Sequence, residues 1–348
     1  MSLSRLLPLF LLLSLIVLCG CEGDEGPAGV AGTDGTDGTN GTDGIDGNVT
    51  CLECHNTDLQ NSISLQYDRS QHAVGEFVEY ASAVYSSCSA CHAGNGFVEY
   101  METGTIDGQL LNPSTIGCNH CHSVHTTFEI DDYALRGTDS APFRSDVGHG
   151  DTMFDLGDNS NVCANCHQAR TAEPNTASPG DTFEIASTHY GPHHSPSANI
   201  YEGVLFAEIP GSTSYPTVPF GHFDADVTCV TCHMGEYSDG AGGHTWHPNI
   251  NACTSCHSGS TDFDIGGVQT NTAALLADLQ DLLEDQGIIE FVVEDDAWEP
   301  IVGTHSMVQA QAFFNWIGLT EDRSLGVHNP PYVEALLLNS IEALTPVN

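Results

Sequence analysis

Cys-x-x-Cys-His occurs six times in this chain: CLECH at Cys51, CSACH at Cys88, CNHCH at Cys118, CANCH at Cys163, CVTCH at Cys229 and CTSCH at Cys253. With 14 cysteines and 18 histidines in 348 residues, random placement would give about 0.03 copies. Two thiols at this spacing can add to the two vinyl groups of one porphyrin. The histidine that follows then lies under the iron and supplies an axial nitrogen. A structural zinc site would need four thiolate or imidazole ligands at matched intervals. A redox dithiol would need one such pair beside a βαβ pattern, not six. The motifs therefore point to six covalently bound haem c groups. Attachment would be through Cys51 and Cys54, Cys88 and Cys91, Cys118 and Cys121, Cys163 and Cys166, Cys229 and Cys232, and Cys253 and Cys256. The proximal ligands would be His55, His92, His122, His167, His233 and His257. We refer to these as sites I to VI in chain order.

Twelve histidines remain for the opposite faces of six irons, against five methionines, one of them Met1. This favours bis-histidine over histidine–methionine ligation. His125, three residues after His122, cannot reach the far face of its own porphyrin, so as a ligand it would serve a neighbouring iron and hold two haems close. His189 in STHYGPHH, His222 in PFGHFD and His244 in GGHTWHP sit in Gly/Pro-bounded loops able to approach a ring. His72 lies between the first two motifs, and His328 in GVHNPP precedes the last apolar segment. These six are the candidate distal ligands. His120, enclosed between two attachment cysteines, is a poor one.

The remaining cysteines, Cys19 and Cys21, fall in the leader, which leaves none for a structural disulfide. Arg5 and the apolar run from Leu6 to Leu18 read as an export signal, too short to span a bilayer. Its end, Leu18-Cys19-Gly20-Cys21, resembles a bacterial lipobox, in which Cys21 would be acylated and would anchor the chain to a membrane surface. The alternative is a plain cleaved signal. Glycine then recurs at every third position from Gly23 to Gly47. That is the collagen period, but Pro27 is the only proline in it, so a polar, self-repelling spacer is expected ahead of a trimeric stalk. The expected organisation is a signal peptide over 1–20, an acylated Cys21 and Gly-x-y tether over 21–49, a six-haem region over 50–267 and a helical C-terminal segment over 268–348, packed on the haem region.

The elements that hold the motifs are hard to see in composition. Between Cys51 and His257 the chain is rich in Gly, Ser, Thr, Asn, Asp and His, with few sustained apolar periods, so porphyrins would supply much of the core. The expected fold is mainly irregular with short α-helices, a multihaem cytochrome c fold wrapped around a haem cluster. After Gly267 the pattern changes. Leu275, Leu276, Leu279, Leu282 and Leu283 share one helical face that Gly287 stops, IIEFVVE is a short strand, and SMVQAQAFFNWIG and PYVEALLLNSIEAL are helices. There is no lysine, and a net charge of −41 excludes nucleic acid and other polyanions as partners.

The lipobox, tether and repeated motifs together resemble the multihaem c-type cytochrome lipoproteins of metal-reducing, mostly delta-proteobacterial, bacteria. VCANCHQAR, HYGPHHSP, CVTCHM, GGHTW and GVHNPPY are similar to segments recurring in that group. The resemblance implies low-spin bis-histidine haems passing electrons outward through the envelope. Partners would be other multihaem cytochromes or envelope electron-transfer proteins, with extracellular metal oxides or electrodes as acceptors, from an outer-membrane location. It also raises the filament-forming hexahaem cytochromes, in which one subunit donates a distal histidine to the next, and so a homo-oligomer through the tether or end-to-end haem stacking. The competing enzyme reading is a haem-dependent reductase of a small oxyanion or nitrogen compound, which needs one open iron. The lysine-ligated form of such a site is absent with lysine itself.

Overall fold

Each attachment motif is wound into roughly one helical turn, and this is the local structure on which the rest depends. The backbone N–H groups of His55, His122, His167 and His257 donate to the carbonyls of Cys51, Cys118, Cys163 and Cys253 at 2.7, 2.9, 2.9 and 2.8 Å. The other two motifs lie in the short helices Ser89–His92 and Cys229–His233. On a helix, positions i, i+3 and i+4 share a face, so both thiols and the imidazole of a motif project to the same side. The computed structural model describes residues 47–346 apart from 76, 82–87, 128, 146–151 and 218–219. The segments expected to be a signal peptide, an acylated Cys21 and all but the end of a tether lie outside the described residues, as does His149. At the tether's end, Gly47 already opens the helix Gly47–Cys54 that carries the first motif.

Between motifs the chain is mostly loop and single-turn helix, with one longer helix, Thr57–Tyr67, started by Asn56, whose side-chain oxygen accepts from Leu59 N–H at 2.8 Å. Three two-stranded antiparallel sheets complete the described strands. Ala141–Pro142 pairs with Met153–Phe154, Thr182–Ile185 with Gly303–Ser306, and Ile289–Val292 with Ala297–Pro300. A small core of Phe143, Phe154, Leu156, Tyr201 and Leu205 supports the region around the fourth motif.

The expected C-terminal helices form. Val268–Asp285 buries Leu276, Leu279 and Leu283, with Leu275 and Leu282 half-buried beside them, and Gly287 follows with φ 67°. Met307–Asp322 begins with a reciprocal cap: Ser306 Oγ accepts from Gln309 N–H at 3.3 Å, and Gln309 Oε1 accepts from Ser306 N–H at 3.1 Å. Pro330–Leu344 is capped by Asn329 and carries proline in its first turn. No helix among the described residues is long and apolar enough to cross a membrane.

The change of composition near Gly267 is not a boundary in the core. Ile185, Ile200, Phe206 and Ile209 pack into the same cluster as Leu279, Phe313, Phe314, Leu336 and Leu337. Thr182–Ile185 borrows its partner strand from residues 303–306. The fully buried Asn315 clamps Ala207, donating to its carbonyl at 2.8 Å and accepting from its N–H at 3.0 Å. Asn339 does the same for Thr213, at 2.8 and 3.0 Å. The C-terminal helices thus fold together with the stretch between the fourth and fifth motifs, and residues 48–348 make one unit.

Candidate haem-binding sites

Every proximal histidine faces one other histidine ring at nearly constant separation. The centroid distances are 5.9 Å for His55–His125, 5.9 Å for His92–His193, 6.2 Å for His122–His244, 6.2 Å for His167–His72, 6.2 Å for His233–His328 and 6.1 Å for His257–His222. Metal–imidazole bonds of about 2 Å on either side of one ion put two ring centroids roughly 6.3 Å apart. The residues present therefore fit an iron between each pair. Among the described residues no group of three or more His, Cys, Asp or Glu is gathered for a metal ion. Paired imidazoles are the arrangement of two axial ligands, not of a four-ligand zinc site. The twelve motif cysteines are free thiols, as attachment requires.

The hydrogen bonds settle which nitrogen is available. Carbonyl oxygens only accept, so His122 Nδ1, 2.7 Å from Tyr133 O, and His233 Nδ1, 2.8 Å from Trp246 O, carry the hydrogen. His328 Nδ1 donates to both oxygens of Asp322, at 2.8 and 3.0 Å. In each ring Nδ1 is thereby engaged, and Nε2 is the nitrogen left to face a metal. His167 Nδ1 meets Ser195 Oγ at 2.9 Å. Burial first, with the nearby His72, His233 and His328, pushes His167 down to about 4, although its ring keeps solvent contact. Burial first, then Arg170, pushes His193 down to about 3. Burial also lowers His72, His92, His222, His233 and His244. Neutral imidazole is the form that binds metal. His328 is the exception. Burial opposes its charge, but Asp322, whose side chain is 2 % exposed, outweighs it and raises the pKa.

Of the six histidines singled out for distal positions, His72, His125, His222, His244 and His328 stand opposite proximal rings. His189 does not: it is exposed, and the ring facing His92 belongs to His193, four residues on. Pro192 and the left-handed backbone of His193, φ 85°, turn that imidazole inward. The sequence carried a signal for this, since His193 lies in the same Gly/Pro turn, but no spacing rule separates the two. Three of the surplus histidines are otherwise occupied. His120 Nδ1 accepts from Gly117 N–H at 2.7 Å, which leaves the proton on Nε2. His194 pairs with Glu321 at 2.6 Å, and His305 Nε2 donates to Ile301 O at 2.7 Å.

The sites adjoin one another. His125 and His122 tie site I to site III. Motifs II and IV lie back to back: Cys91 Sγ contacts Asn165 O at 3.8 Å and Cys166 Sγ contacts Ala90 O at 3.7 Å. Ser160, in the helix bearing Cys163, accepts from Val230 N–H of motif V at 3.2 Å, and Asn249 N–H, ahead of motif VI, donates to Cys232 O at 3.4 Å. Asn165 Nδ2 donates to Gly137 O at 3.2 Å, linking motif IV to the loop after motif III.

Among solved structures, the chain is similar to the outer cell wall cytochrome OcwA, with a TM-score of 0.53 over 81% of this chain and 50% of that one, at 19% identity. The fold is cytochrome-like. The chain spans about half the length of that cytochrome, and at this identity the likeness is one of fold. No protein-family model matches the chain, and no curated protein does.

Proposed function

We propose that this chain is an electron-transfer multihaem c-type cytochrome carrying six haem c groups, each between two histidines. The observation that carries the reading is the set of six ring pairs at 5.9–6.2 Å, one for every Cys-x-x-Cys-His motif. Bound haem c supplies one-electron iron chemistry. The chain's own residues do the rest. The motif turns present two thiols and an imidazole to one side. Tyr133, Trp246 and Asp322 hold Nδ1 protons so that Nε2 faces the metal. The interlocked motifs set neighbouring sites in contact, in the order I, III, IV, V, VI with II against IV. An imidazole on each side of every site would leave an iron held there no position for substrate, which favours a carrier over a reductase. All six pairs form within one chain, which favours a self-sufficient conduit over a filament that borrows a histidine from its neighbour.

The physiological setting belongs to the same reading. The export signal, Cys21 and the Gly-x-y tether support a lipid-anchored protein on the outer membrane, exchanging electrons with other envelope cytochromes and with extracellular metal oxides or electrodes. The similarity to an outer cell wall cytochrome agrees with an exported carrier. Intact mass of the mature holoprotein tests the cofactor count: six haem masses above the acylated polypeptide are expected, and four or fewer would end the proposal. Replacing Cys21 with serine should release the protein from membranes. Retention with unchanged fatty-acid labelling would remove the anchor.

A further inference from the structure

Trp246 touches three of the six sites. Its indole stands edge-to-face with His72, at 4.7 Å between centroids and 84°, and with His244, at 5.5 Å and 74°. Its carbonyl oxygen accepts the Nδ1 hydrogen of His233 at 2.8 Å. His72 faces the proximal ring of site IV, His244 that of site III, and His233 is the proximal residue of site V. We propose that Trp246 is the positioning residue of a three-site junction, its side chain setting the imidazole planes of His72 and His244 and its main chain that of His233. The inference rests on the six-haem reading and deepens it.

The local backbone is built for the purpose. Trp246 has φ 55°, a left-handed conformation that a bulky residue adopts only when its surroundings impose it. The surroundings here are a tight turn. Gly242 N–H donates to His247 O at 2.8 Å, Thr245 Oγ1 to Gly242 O at 2.8 Å, and Gly243 N–H to Gly235 O at 2.8 Å, just after motif V. His244 N–H donates to Oε1 of the buried Gln66 at 3.0 Å, which fastens the turn to the Thr57–Tyr67 helix. Gly242 has φ 85°, and a Cβ there would lie 2.7 Å from the carbonyl oxygens of Gly235 and Glu236, so no other residue fits. Tyr67, 6.4 Å from the indole and edge-on to it, backs the ring and bonds Ile116 O at 2.6 Å, ahead of motif III. Helix, turn and two motifs converge on one side chain.

Aromatic edge-to-face contacts are directional, so the indole restrains rotation of the two imidazoles about their bonds to the chain. The angle between two axial imidazole planes governs the anisotropy of a low-spin ferric signal, and here the pairs differ: 74° for His72–His167 and 33° for His122–His244. Removing the indole should therefore alter two signals of six. The third contact is made by the main chain and should survive a side-chain change.

The test is Trp246→Leu and Trp246→Phe in the full-length holoprotein, read by intact mass and by electron paramagnetic resonance of the ferric form. With six haems retained, two of the six low-spin signals are expected to shift in Trp246→Leu, by less in Trp246→Phe, while the other four, site V among them, stay. A six-haem Trp246→Leu spectrum identical to wild type would overturn the assignment, as would a change in all six signals, which marks general loosening. Should the leucine variant not mature, the phenylalanine variant decides alone, two shifted signals supporting the junction and none refuting it. Failure of the wild-type protein to show six low-spin haems would remove the six-haem reading itself.

Discussion

Replacing His193 is the sharpest probe of how the irons are closed. Its ring centroid lies 5.9 Å from that of His92, close to the roughly 6.3 Å expected across one metal, while His189, four residues earlier, is exposed. Arg170 N–H donates to Pro192 O at 3.0 Å and holds the turn in place whatever the side chain at 193. His193→Ala should therefore remove one axial ligand and little else. One haem of six would become high-spin in the ferric state, about 17% of the total, and the reduced protein would gain carbon monoxide binding at the same level. Because residue 193 has φ 85°, His193→Gly removes the ligand and relieves the backbone together, and it should give the same spectrum with better folding. His189→Ala should leave all six irons low-spin. Spin quantification by electron paramagnetic resonance, normalised to total haem, is the assay. The reasoning fails if His189→Ala opens an iron and neither His193 variant does.

Two further outcomes are expected. Asp322→Asn takes a buried negative charge from the Nδ1–H of His328, so the imidazole becomes a weaker donor and the site V potential should rise. A differential of about 1.4 kcal/mol corresponds to roughly 59 mV for one electron. Spectroelectrochemical titration should show one component moved positive by tens of millivolts, and a negative shift or none would contradict the assignment. Asn315→Ala leaves the buried N–H of Ala207 unpaired, at about 1–3 kcal/mol, while the Ala207 carbonyl keeps the Ile209 N–H at 2.9 Å. Hydrogen exchange in the Met307–Asp322 and Pro330–Leu344 helices should accelerate by roughly 5- to 150-fold, with haem content unchanged. Unaltered exchange would mean that these helices stand without the clamp.

What could be read from the sequence follows from how local each determinant is. The attachment motifs are legible because one porphyrin dictates the spacing of two thiols and an imidazole within five residues. The helices around Leu279, Phe313 and Leu336 are legible because each presents an apolar face with helical period to a dry core. The partnering of rings is not. His72 faces His167 and His328 faces His233 across long stretches of loop, where no periodicity survives. Choosing between His189 and His193 turns on how the chain folds around Pro192 and the left-handed His193, which no spacing records. The recruitment of Ile185, Phe206 and Ile209 into the C-terminal core was equally hidden, since TFEI and VLFAEI are short apolar stretches with no helical period to say which core they join, and Asn315 and Asn339 fasten the 207–213 segment to the C-terminal helices.

The central claim is that every iron is held between two histidines of the same chain. Low-temperature electron paramagnetic resonance of the fully oxidised, monodisperse holoprotein, integrated against its haem content, tests it directly. The account predicts six low-spin ferric haems per chain and no stoichiometric high-spin signal. A full high-spin haem in the wild-type protein would show an open iron among the six pairs and would turn the assignment towards a reductase.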